Sequence, residues 1–264
     1  DRIALALKRE FGPVVEFAPY DWRQPIAYLG KGLAARISDL VATYPGVQIA
    51  LVAHSMGGLV SASAFEALSQ PALDAVKAFV ALGVPFRGSA KAFQTLRGER
   101  NDLDLIKLAG GRSTLEIQNT IQSFRGLFDM LPADQDELLN PALFSPGPLS
   151  RLAAADPLFS SPAALVRDLP KCILPKTRAI ICTRKETIGD VTIRMDGSAD
   201  YTKTVPGDGT VPVTSALNGD MLASESREVD QKHMTLPLDG AAIQDTIDWL
   251  KLRLNKTQKG ADGY

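Results

Sequence analysis

The run Val47-Gln48-Ile49-Ala50-Leu51-Val52-Ala53-His54-Ser55-Met56-Gly57-Gly58-Leu59-Val60 constrains this chain more than any other stretch. Its apolar, β-branched first half predicts a strand buried on both faces, and its second half continues at once as a helix. A serine between small residues at that junction is the pattern of a nucleophile elbow, a turn so sharp that the serine backbone is strained. Its neighbours must be small where the turn and the helix pack closely. Ala53, Gly57 and Gly58 meet that need, with Ala53 where the usual G-x-S-x-G pattern has its first glycine. At the head of a helix, Ser55 also brings the Met56 backbone N–H to where an oxyanion would develop. The plainer reading, an ordinary serine in a small-residue turn, does not account for the strand before it and the helix after it.

Strands and helices alternate around the elbow. Asp1 to Phe11 reads as a helix ended by Gly12-Pro13, and Val14 to Tyr20 as a short strand. Ile26, Leu29, Leu33, Ile37, Leu40, Val41 and Tyr44 recur at helical spacing until Pro45-Gly46. A helix to about Ser69 follows the elbow, then a second buried strand from Val76 to Pro85. The same rhythm returns with a strand over Thr177 to Thr183, a hairpin around Met195-Asp196-Gly197, a last strand over Glu225 to Val229 and an amphipathic helix from Leu238 to Leu254. This order predicts an α/β fold, a mostly parallel sheet flanked by helices.

Between Phe86 and Pro175 the rhythm breaks into Pro- and Gly-rich sequence with short helical patches such as Ser113 to Phe128. A structureless loop of that length does not belong in a compact domain, so 86–175 reads as an inserted helical cap or lid. Residues 1–85 and 176–264 then form the core. The cap's apolar clusters, Leu127 to Leu131 and Leu165 to Leu169, are expected to pack it against the body, and the polar tail after Asn255 to fray.

Composition excludes several classes of function. A net charge of −1 over 264 residues gives no electrostatic reason to expect nucleic acid as a partner. No apolar run reaches the length of a transmembrane helix. Two cysteines, Cys172 and Cys182, cannot build a disulfide framework or a cysteine zinc cluster, and glycine-rich phosphate loops are missing, so neither a metal nor a cofactor is expected. The chain opens on Asp1 rather than Met, and a preceding segment of a longer protein is expected, which leaves the compartment open.

A serine attacks only after a base takes its proton, and histidine is the usual base near neutral pH. There are two histidines. The His54 side chain should project away from its neighbour's hydroxyl, so His233, between the last strand and the C-terminal helix, is the candidate base. A carboxylate must then accept the imidazole N–H. Asp208, between two turn-forming glycines, is the best candidate, with Asp190 and Glu186 as rivals. Ser89 is expected to cap a helical turn, and Arg23 and Arg87 to form ion pairs rather than to hold a phosphate or carboxylate.

Four segments in order, Tyr20-Asp21-Trp22-Arg23, Ala53-His54-Ser55-Met56-Gly57-Gly58, Leu82-Gly83-Val84-Pro85-Phe86-Arg87-Gly88-Ser89 and Gly207-Asp208-Gly209-Thr210-Val211-Pro212, resemble the signatures of the lecithin:cholesterol acyltransferase-like branch of the α/β-hydrolases. The resemblance covers the chain from Tyr20 to His233. It implies an α/β-hydrolase fold, a triad of Ser55, Asp208 and His233, an oxyanion donor at Met56, and Tyr20 and Trp22 lining the substrate site. It also implies a lipid or phospholipid ester as substrate, met at a membrane surface, with water or an alcohol as acyl acceptor. In one respect the chain departs from the family pattern: no glycine-rich oxyanion turn precedes the Tyr-Asp-Trp-Arg loop, so N-terminal strands of the fold are expected to be missing. An esterase for small soluble esters, and a catalytically idle interaction module of a larger protein, are the alternatives.

Overall fold

A computed structural model of the chain describes residues 2–99, 113–135, 138, 143, 168–220 and 222–255. Much of the predicted cap, including Leu165 within its second apolar cluster, and the tail after Asn255 lie outside the described residues.

Four parallel strands form the central sheet: β1 (Ile49–His54), β2 (Val76–Leu82), β3 (Thr177–Ile181) and, paired to β3, a short last strand at Ser226–Glu228. Side chains alternate across β2. Phe79 and Ala81 join a core with α2 (Ile26–Thr43) and α3 (Met56–Ala67), whereas Ala78, Val80 and Leu82 face α1 (Arg2–Phe11) and the C-terminal helix Gly240–Asn255. Helices thus cover both faces, the arrangement that lets residues 78–82 of β2 be apolar on both sides. Between α2 and α3 the approach is close, since a Cβ on Gly30 would lie 2.3 Å from Ser63 Oγ.

The strand leading into the elbow differs from its sequence reading. Among the described residues β1 pairs only with β2, and five of its six residues are half-buried. Val14 to Tyr20 also forms no strand: Gly12–Val14 is a 3₁₀ turn, and residues 15–20 run without regular structure. Phe17 is 56% exposed and no described strand lies beside this segment; Arg36 ties it down, donating to the Phe17 carbonyl and pairing with Glu16. The helix after the elbow stops at Ala67, and a separate turn of helix, α4 (Gln70–Ala75), leads into β2.

From the predicted cap, α5 (Ala90–Leu96), α6 (Thr114–Ile121) and α7 (Arg125–Phe128) are described. Phe93, Leu96, Leu127, Phe128 and Leu131 form an apolar cluster of their own with Val191. Sequence periodicity missed part of its partner: besides the predicted hairpin, β5 (Thr192–Ile193) and β6 (Ala199–Asp200), β4 (Lys185–Ile188) pairs antiparallel with β7 (Thr204–Gly207). Both cysteines are free thiols, Cys182 buried and Cys172 half-buried.

Candidate active site

Each residue of the site leaves the carboxyl end of the parallel sheet or the turn beside it. Ser55 follows β1 directly with φ 55° and ψ −131°, one of two non-glycine residues of positive φ among those described. The turn is pinned by its N–H donating to the Leu82 carbonyl and its own carbonyl accepting from Gly58. Such a conformation costs about 1–3 kcal/mol and persists only where the surroundings over-determine it. Gly58 is the small residue that packing demands, because a Cβ there would lie 2.1 to 2.8 Å from the buried Val84 side chain. At Gly57 a Cβ would meet only ordinary contacts, Tyr20 Oη at 3.4 Å and the Ala53 Cβ at 3.8 Å. Met56 opens the helix, so its N–H has no intrahelical acceptor.

His233 begins the 3₁₀ segment His233–Leu238 after the last strand, and is buried. Its Nε2 lies 2.9 Å from Ser55 Oγ, and its Nδ1 2.8 Å from Asp208 Oδ2. The carboxylate can only accept, which assigns the ring proton to Nδ1 and leaves the Nε2 lone pair for the serine proton. Asp208 is itself held: Oδ1 accepts the Thr210 N–H at 2.9 Å and the Val211 N–H at 2.7 Å, while Thr187 Oγ1 accepts the Gly209 N–H. The rivals lie elsewhere, Asp190 paired with Lys203 and Glu186 exposed on β4. As expected, Ser89 caps α5, accepting the Lys91 N–H, and its hydroxyl also donates to the Thr210 carbonyl, bracing the Asp208 turn. Arg23 pairs with Asp21 and Arg87 with Asp134. The guanidinium beside it holds the Asp21 carboxyl down at about 2.

Tyr20 and Trp22 lie on the loop before α2, at 39% and 47% exposure. The Tyr20 hydroxyl reaches the elbow helix at Gly57, and the Trp22 ring meets Phe124 edge-on with centroids 5.0 Å apart. Sequence reasoning missed how this loop is anchored. Buried Asp129, from the cap region, accepts the Ile26 N–H at 2.7 Å and so caps α2 where Pro25 cannot; Gly126 N–H donates to the Arg23 carbonyl. The loop bearing Tyr20 and Trp22 is therefore clamped between elbow and cap.

Gly83 was also missed, although a glycine ending a buried strand was its signal. It has φ +53°, and a Cβ there would lie 2.8 Å from Leu236 Cδ1, 2.9 Å from Asp208 Oδ2 and 3.2 Å from His233 Nδ1. Gly83→Ala should therefore push the Asp–His pair apart. Turnover is expected to fall about 100-fold, the scale of a 1 Å misplacement, in a protein destabilised by about 1–3 kcal/mol. Steady-state kinetics and urea unfolding of the variant check both.

His54, set aside on sequence because its side chain was expected to project away from the serine, bonds elsewhere. Its Nε2 lies 2.9 Å from the His233 carbonyl oxygen, and the two imidazole centroids are 4.7 Å apart. Burial, and secondarily the neighbouring His233, push the His54 imidazole from 6.5 down to about 4. Below pH 6.5 the unfolded chain takes up a proton here that the folded chain refuses. This contribution to stability is thus present above pH 6.5 and lost as pH falls towards 4, amounting to about 3 kcal/mol at most. His54→Gln should lose less stability than the parent between pH 7 and pH 4.5, which urea midpoints at the two values will measure.

The sequence model of the family "Lecithin:cholesterol acyltransferase" matches residues 12–215, and the chain belongs to that family. The mostly parallel sheet with helices on both faces agrees with the α/β-hydrolase fold expected from the sequence. The match spans the elbow and Asp208 and stops short of His233. A search of curated protein sequences gives no match. Among solved structures, the chain is similar to the lipase BlEst2 of Bacillus licheniformis in its propeptide form, at 16% identity and a TM-score of 0.42, covering 85% of this chain and 41% of that one. It is similar to the mature form at the same identity and TM-score, covering 89% of this chain and 74% of that one. This chain thus spans about two fifths of the length of the first of these two. Among the described residues no helix is long and apolar enough to cross a membrane.

Proposed function

We propose that this protein hydrolyses carboxylic esters of lipids or phospholipids through an acyl-enzyme on Ser55. The observation that carries the reading is the unbroken relay from Ser55 Oγ through His233 to Asp208, 2.9 and 2.8 Å long, on a serine held at positive φ. Membership of the acyltransferase family supports the lipid ester as substrate class. As Ser55 Oγ attacks the ester carbonyl carbon, its proton passes to His233 Nε2 and the carbonyl electrons move to oxygen, which the Met56 N–H meets. Collapse of that intermediate breaks the bond to the alcohol, which leaves with the proton from Nε2. Water, deprotonated by His233, then attacks the acyl carbon, releasing the acid and restoring the serine. An alcohol in place of water would make the same cycle an acyl transfer.

Asp208 keeps the Nδ1 proton in place and stabilises the imidazolium formed at each transfer. Tyr20 and Trp22 offer an exposed aromatic rim to the acyl chain or headgroup, and α5, α6 and α7 belong to the cap beside it. The test is hydrolysis across a series of acyl chain lengths, with and without lipid vesicles, by the protein and its Ser55→Ala variant. Turnover that needs Ser55 and rises with chain length and vesicles is the expected result. Turnover confined to short soluble esters would replace lipid with small esters as substrates. None at all from folded protein would favour an interaction module.

A further inference from the structure

We propose that His54 is a positioning residue for His233, an inference that rests on the reading of His233 as the catalytic base. The His233 peptide is held on both sides. Its N–H donates to the Asp208 carbonyl at 2.9 Å, so the backbone of the acid residue, and not its carboxylate alone, fixes where the base begins. Its carbonyl accepts from His54 Nε2 at 2.9 Å. A carbonyl cannot donate, so His54 must carry its proton on Nε2 in this contact. His54 adjoins Ser55 in the chain, and its donor therefore closes a ring: Ser55 Oγ to His233 Nε2 by the reacting hydrogen bond, and the His233 carbonyl back to the neighbouring residue on the nucleophile strand. Among the described residues, the other hydrogen bond between the 3₁₀ segment that carries His233 and the elbow is the reacting one, which must break and re-form in every cycle.

The neutral state of His54 matters for the same reason. The ring lies 4.7 Å from that of His233, which becomes an imidazolium at each proton transfer, and a second positive charge at that distance would oppose it. Asp208 is the other charged group acting on His54, and it acts more weakly than the burial that keeps the ring neutral. The position thus calls for a half-buried N–H donor without charge, which a glutamine can also provide.

Three variants separate the donor from the ring. His54→Gln keeps an N–H near the place of Nε2 without a ring; His54→Phe keeps a ring without a donor; His54→Leu keeps neither and stands in should the phenylalanine not fold. On a soluble chromogenic ester, His54→Phe and His54→Leu are expected to lose about 10- to 100-fold in kcat with KM nearly unchanged, and His54→Gln to stay within about threefold of the parent. A phenylalanine variant with parental kcat, or a glutamine variant that falls as far as the phenylalanine, overturns the assignment. Amide hydrogen exchange at His233 is read on the same proteins. If the parent turns over no ester, the proposed function fails, and exchange alone then decides: faster exchange in His54→Phe but not in His54→Gln supports the tie, and equal rates in all refute it.

Discussion

Glycine at position 55 is expected to abolish ester turnover and yet give a more stable protein than alanine at the same place. Both substitutions remove the hydroxyl, so both should cost about 10⁵-fold or more in kcat if Ser55 is the nucleophile. They differ in the backbone. Alanine inherits the φ of 55° and ψ of −131°, a region that a Cβ makes costly, whereas glycine enters it freely. Glycine gives back part of that relief as unfolded-state entropy. The net expectation is that Ser55→Gly exceeds Ser55→Ala by about 1–2 kcal/mol in urea unfolding. Equal stabilities would mean that the elbow holds no strain.

Asp208→Asn is expected to reduce kcat by about 10³- to 10⁴-fold while leaving the fold intact. The reason lies in which oxygen is held. Oδ1 accepts two backbone N–H groups, from Thr210 and Val211, so an asparagine must keep its carbonyl oxygen there and turn its NH₂ towards His233. His233 Nδ1 must then accept, its proton moves to Nε2, and the ring faces Ser55 with a donor where a base is required. An ester assay beside a thermal melt reads both halves of this expectation. Asp208→Asn that keeps full activity would move the role of acid to another residue.

The elbow was legible because three physical features, an apolar strand, a strained serine and room for a close helix, fall on consecutive residues. His233 could be expected beside Ser55 because only two histidines exist, and Asp208 beside His233 because its turn residues and the family signatures agree. What stayed hidden depends on contacts distant in sequence. Asp129 stands inside the apolar cluster Leu127 to Leu131, and only the fold shows it capping α2 from 103 residues away. The role of Gly83 depends on Leu236, Asp208 and His233 converging on one empty position, and that of His54 on a backbone carbonyl of the His233 segment. The Val14–Tyr20 strand failed for a related reason: strand-forming residues fit a sheet, but they form one only where a neighbouring strand receives them, and none described lies there.

The most direct test of the account is covalent titration with a long-chain alkyl phosphonate ester bearing a p-nitrophenyl leaving group, read by mass spectrometry of the digested protein. A phosphonate captures the activated serine as a stable adduct in the geometry of the tetrahedral intermediate. The account predicts one equivalent of label, on the peptide that contains Ser55, with labelling slowed by orders of magnitude in Asp208→Asn and absent from Ser55→Ala. Folded protein that takes up no label, or takes it up at another residue with Ser55 untouched, would contradict it.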